Sequence, residues 1–152
     1  MALIPLTTAQ QVAVDALISA GRLIAVPADL VRAQAFLQKS AIRQADIPNA
    51  SHSENRFDLA YSAAHDVGEA LLAAYGYRIG SGQGHHETLG RFVLIVLDQP
   101  PGSVAAAKID GLRRTRNAQN YRAQPVGTAA ATLAASVAAD LYDAASSRGV
   151  PT

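Results

Sequence analysis

The stretch from Phe57 to Gly76 constrains the fold more than any other part of the chain. Phe57, Ala60, Tyr61, Ala64, Val67, Leu71, Leu72 and Tyr75 recur at the three-and-four spacing of one helical face, and Gly76 follows the last of them. So long an apolar stripe must be buried against several neighbours. The rest of the chain offers them. Thr8 can cap a helix carrying Val12, Leu17 and Ile18 that stops near Gly21. Pro27 sits where a second helix can start, carrying Leu30, Val31, Ala35, Phe36 and Ile42 and fading before Pro48. "ASHSEN" (50–55) and the glycine-rich "GYRIGSGQG" (76–84) read as connectors. A fourth helix is predicted from about His85 through Phe92, Ile95 and Val96. Its "FVLIVL" core has the composition of a strand, but no partner strand is visible. Pro100, Pro101 and Ser103 open a fifth helix, on which Ile109, Leu112 and Arg116 share a face. The last runs from about Pro125 to Ser146 with Leu133, Val137, Leu141 and Ala144 inward. The fold class expected is all-α, an antiparallel up-and-down bundle of five or six helices, in a single domain spanning residues 1–152.

Composition agrees with helix. Of the 152 residues 49% are hydrophobic, dominated by Ala and Leu, with few aromatics. There is no cysteine, which removes disulfides and thiolate metal sites and fits a reducing, cytoplasmic setting. The N-terminal "MALIPLTTAQQ" has neither the basic nor the apolar region of a signal peptide, and "FVLIVL" is too short to span a membrane. Net charge is +1, so any attraction for nucleic acid has to come from a local patch.

One patch stands out. In "RRTRNAQNY" (113–121) three arginines fall within four positions, and Lys108 and Arg122 lie close by, offset only by Asp110. Arg116 follows Ile109 and Leu112 by seven and four residues, so it is predicted to point toward the packed side of its helix. A guanidinium placed there needs a carboxylate, a backbone carbonyl or an anion such as phosphate. Asn117 and Asn120 suit a helix end, after which Tyr121 could fold back beside the arginine. The plainer reading is an arginine clamping the C-terminus of its own helix beside two solvated neighbours.

Two other groups carry chemistry. In "GQGHHE" (82–87) the adjacent His85 and His86 point about 100° apart on a helix, so they cannot share a metal, and no third ligand cluster is near in sequence. No metal and no cofactor is expected, and the Gly-rich loop lacks the Lys-Ser/Thr of a phosphate-binding loop. Asp58, Ser62, His65 and Glu69 form a polar stripe on the third helix. His65 and Glu69 are spaced to pair, and the stripe reads as a solvent face, with a cleft or dimer contact as the alternative.

Taken together, "RFDLAYSAAHDVGEALLAAYGYR", "GHHETL" and "RRTRNAQNY" resemble a HEPN domain (higher eukaryotes and prokaryotes nucleotide-binding). The likeness covers about residues 25 to 146 and rests on helix order and on Ala60, Tyr61, Ala64, Leu71, Leu72, Gly76, Arg78, Gly84, His85 and Arg116. It implies a small helical bundle that pairs into a homodimer. Many members are metal-independent ribonucleases of prokaryotic toxin–antitoxin and defence systems, some with a nucleotidyltransferase-type partner. Their signature is an Arg, a polar residue and a following His, which meet in a cleft at the dimer interface. By that resemblance Arg116, Asn117 and Tyr121 are the catalytic positions, with Arg113, Arg114 and Arg122 binding RNA or phosphate.

Tyr121 stands where the motif has its His, and no His follows it. Tyrosine, with an ordinary pKa of about 10, exchanges protons poorly near neutrality, though it can hydrogen-bond a phosphate or stack on a base. His65, His85 and His86 are then the accessory candidates for the missing proton carrier. The resemblance thus favours contact with RNA or nucleotide at a dimer cleft. An active metal-independent endoribonuclease toxin and a non-catalytic protein-interaction bundle stand as alternatives.

Overall fold

The computed structural model describes residues 1–82 and 84–152, so of the glycine-rich connector Gln83 lies outside the described residues. Six α-helices follow one another: α1 (Thr8–Ser19), α2 (Leu30–Asp46), α3 (Ser53–Tyr75), α4 (His85–Val96), α5 (Gly102–Arg122) and α6 (Thr128–Ser147). A short 3-10 turn, Ile47–Asn49, extends α2. The chain is an all-α bundle, as the periodicity predicts, and "FVLIVL" belongs to α4. Among the described residues no helix is long and apolar enough to cross a membrane.

The bundle is built around α3. That helix packs against α2, α4, α5 and α6, and its apolar stripe is buried from Phe57 to Leu72. Gly76 ends it in the left-handed region (φ +83°), donating to the carbonyls of Leu72 and Ala73. Buried side chains from every helix join one core, in which Phe57, Phe92, Leu37, Leu71 and Leu141 are fully enclosed. Of the polar side chains buried among the described residues, Gln10 and Ser40 tie helices together. Gln10 Nε2 donates to the carbonyls of Ile95 and Val96 (3.2 and 3.1 Å), satisfying the C-terminus of α4. Ser40 Oγ donates to the carbonyl of Ala63 (2.8 Å), locking α2 to α3.

The structure differs from the sequence reading in several places. Leu23–Ala25 and Tyr77–Ile79 form a two-stranded antiparallel ribbon, with Leu23 opposite Ile79 and Ala25 opposite Tyr77. Three residues a side are too few for alternation to register, and the pairing joins segments more than fifty positions apart. Thr7, not Thr8, caps α1, in a reciprocal box with Gln10. Asp29 caps α2 by accepting from the backbone of Arg32 (2.9 Å), so the helix starts three residues after Pro27. The inward stripe of α2 is Ala33, Leu37 and Ser40, while Leu30, Val31 and Ile42 are exposed. Small residues let α2 approach α3 closely, and hydropathy alone favoured the larger ones. Leu133 is exposed for the same reason, α6 packing through Ala131, Ala134 and Ala138, while α1 turns Val12 outward and packs through Val14 and Leu17. Ser53 and its successors belong to α3 and not to a connector. α5 passes through Asn117 and Asn120 to Arg122, ending at Ala123 (φ +52°) ahead of Pro125.

Candidate functional site: an arginine–histidine cavity

Tyr61, His65 and Glu69 lie at successive turns of α3, on one face. Three elements close over that face. α2 brings Arg43, α5 brings Arg116, and α4 brings His85 and His86 at its first two positions, after the chain reverses at Gly84 (φ +85°). Leu89, one turn further along α4, is set against the bare backbone of Gly68, which fixes how closely α4 approaches α3. The result is a cavity of about 110 Å3 lined by Arg43, Tyr61, Ser62, His65, His86 and Arg116.

Its contacts run as a chain. The Arg116 guanidinium lies 5.3 Å from the centroid of the Tyr61 ring, within cation–π range. The Tyr61 hydroxyl shares a hydrogen bond of 2.9 Å with Nδ1 of His86. The His86 ring is 4.7 Å from that of His65, which stacks on His85 at 5.9 Å. His85 Nε2 meets Glu69 Oε1 at 3.4 Å. Behind Tyr61, Phe57 stacks at 6.4 Å with its ring nearly parallel. Arg43 donates to Asp66 (2.6 Å), whose side chain is 4% exposed, and to the carbonyl of Ser62 (3.4 Å).

Charge is unevenly offset here. Arg43 is paired with Asp66, while Arg113 and Arg114 are paired with Asp110 (2.8 and 3.5 Å). Among the described residues no carboxylate comes within ion-pair distance of Arg116. Burial, then the neighbouring histidines and Arg116, holds His65 far down, to about 4. Burial and Arg116 also lower His86, and burial raises the Tyr61 hydroxyl. Asp66 is raised as well, because burial outweighs the pull of Arg43.

A pH dependence follows. An unfolded chain protonates His65 near its ordinary 6.5, and the folded chain only near 4. Between those values the unfolded state binds more protons, so stability falls as the pH drops through that window. The groups facing His65 are His85, His86, Arg116, Arg43 and Glu69; the raised carboxyls of Asp58 and Asp66 act in the opposite sense. Denaturant titrations in EDTA from pH 7.5 to 4 should therefore show a stability loss that is shallower in His65→Gln. Parallel profiles for the two proteins would contradict the assignment.

The structure sorts the residues singled out from sequence. Arg116 reaches the cavity from a half-buried position, and His65 and His86 line it. The polar stripe of α3 is a cleft wall and not a solvent face, with only Asp58 exposed, and Glu69 pairs with His85 instead of His65. Tyr121 does not fold back beside Arg116. It stays helical, 83% exposed, because five residues turn it about 140° around α5. Asn117 is half-buried next to Arg116; Arg113 and Arg114 are engaged by Asp110, and Arg122 is exposed on the last turn. His85 and His86 do face different partners, and folding brings further donor groups near His85 that the local sequence lacked. Donor atoms of His65, Glu69 and His85 lie within 4.8 Å of one another. Arg43 and Tyr61 were not anticipated as site residues, while Ser62 lay on the stripe for which a cleft was the alternative reading. Tyr61, one turn before His65, was detectable; Arg43 was not, since the stripe of α2 gave the wrong face.

No family model matches the chain, and no curated protein and no solved structure matches it either.

Proposed function

We propose that the cavity binds a phosphate group of RNA or of a nucleotide, as the HEPN resemblance implies. The observation that carries this reading is Arg116, held over Tyr61 in the cavity lining beside Arg43 and His86, with no carboxylate among the described residues in pairing range. Such a cation is completed by an anion, and a phosphate oxygen accepts from guanidinium and imidazole together. Exposed Tyr121 is then suited to base stacking outside the cavity, not to proton transfer within it. Pairing into a homodimer around this cleft, and the toxin–antitoxin or defence setting, are proposals from the resemblance alone.

The test is fluorescence anisotropy with labelled single-stranded RNA on wild type, Arg116→Ala and Arg114→Ala. Loss of charged hydrogen bonds of about 1.5–3 kcal/mol corresponds to roughly 10- to 100-fold weaker binding by Arg116→Ala. Arg114→Ala, whose side chain is 72% exposed, should change affinity only slightly. Equal effects of the two variants would reduce the patch to diffuse attraction, and no effect of Arg116→Ala would end the proposal.

A second reading, metal-independent endoribonuclease, is favoured by one observation. Imidazole is present at the cavity in His86 although the sequence motif lacks it. RNA cleavage in EDTA that is lost in both Arg116→Ala and His86→Ala is the expected result under that reading.

A further inference from the structure

We propose that His65, Glu69 and His85 form a binding site for a divalent transition metal of the zinc type, beside the arginine–histidine cavity. The inference goes beyond the phosphate reading and does not depend on it. Two helices supply the three side chains. His65 and Glu69 are one turn apart on α3, and His85 is the first residue of α4. Their donor atoms all lie within 4.8 Å of one another, and His85 Nε2 is 3.4 Å from Glu69 Oε1. Two ligands at about 2.0–2.1 Å from a tetrahedral ion stand roughly 3.3–3.5 Å apart, so that pair already has the spacing of a shared metal. His65 completes the set by a small approach. The side chain of His85 is 48% exposed.

A second observation points to a ligand. Nε2 of His65 is buried and has no hydrogen-bond partner among the described residues. Buried ring nitrogens are otherwise satisfied, and metal coordination is one way an imidazole at this position satisfies its own. His86 is not part of this cluster of donor atoms, and its Nδ1 is engaged by the Tyr61 hydroxyl at 2.9 Å. Two imidazoles and one carboxylate favour Zn, Co or Ni over Mg or Ca, and three protein ligands leave a fourth position for water or a substrate oxygen.

The experiment is a Co2+ titration of EDTA-stripped full-length protein followed by visible absorption, with Zn2+ affinity measured by calorimetry. Wild type should take up one equivalent with the intense bands of tetrahedral cobalt. His85→Ala and Glu69→Gln change side chains that reach solvent, so both variants should fold. Each should bind Zn2+ more weakly by more than the 10- to 100-fold that loss of an outer-shell partner costs. His86→Ala and Arg116→Ala should keep the cobalt spectrum, which separates this site from the phosphate reading. Absence of tetrahedral cobalt bands in wild type would overturn the proposal. So would wild-type affinity in His85→Ala, or an equal loss in His86→Ala, which would mean that imidazoles bind the ion without a defined geometry.

Discussion

Phe57→Ala is expected to lower stability by about 3–5 kcal/mol, the range for truncating a buried aromatic ring. Phe57 is fully buried in the second turn of α3, and it also lines a groove of about 310 Å3 between α5 and α6. A missing ring at an enclosed position leaves a cavity that the surrounding helices close only partly, and that cost adds to the lost transfer free energy. For a chain of this size the change corresponds to a fall in melting temperature of roughly 6–20 °C. Phe57→Leu, which retains most of the volume, should cost under about 1.5 kcal/mol. The ring has a further part to play, since it backs Tyr61, over which Arg116 lies. RNA affinity in Phe57→Ala should fall, but by less than in Arg116→Ala. Guanidinium titrations would give the stability figure, and a loss below about 1 kcal/mol would mean that this ring does not organise the core.

Gly68→Val is expected to destabilise by about 3 kcal/mol and to part α4 from α3. A Cβ on Gly68 would fall on Cδ2 of Leu89 and lie 2.8 Å from its Cγ, and Leu89 is 2% exposed, so it has nowhere to go. Gly68→Ala should cost less. Replacing a mid-helix glycine by alanine gains up to about 1 kcal/mol in helix propensity, which offsets part of the overlap. Leu89 lies one turn beyond His85 and His86, so the displacement would be felt in the cavity as well as in the core. In Gly68→Val the histidine side-chain resonances should shift along with the lower stability. Combining Gly68→Ala with Leu89→Ala should cost less than the sum of the single changes, because each relieves the other's defect. Strict additivity would place the clash elsewhere.

Much of the bundle was legible because helical periodicity is a local property. The stripe from Phe57 to Tyr75 needs only 3.6 residues per turn to be visible, and its terminator Gly76 is a local signal too. The same rule misjudged α2. Leu30, Val31 and Ile42 outrank Ala33 and Ser40 in hydropathy, but a close helix contact selects small residues and a hydroxyl that can reach a facing carbonyl. Asn117 and Asn120 looked like helix ends, yet asparagine only permits a stop, and α5 continues to Ala123.

For the site, the sequence alone determined that Arg116 shares a face with Ile109 and Leu112, because seven and four residues are nearly whole turns. It also determined that His85 and His86 must look in different directions. Only the tertiary structure decided what those side chains meet. Arg116 is laid over Tyr61, His86 is bonded to the Tyr61 hydroxyl, and His85 is brought to Glu69 and His65. Each of those meetings joins separate helices, over separations from sixteen positions (Glu69 to His85) to fifty-five (Tyr61 to Arg116). They depend on how closely α4 and α5 settle on α3, a distance set by contacts such as Leu89 on Gly68 that no periodicity encodes.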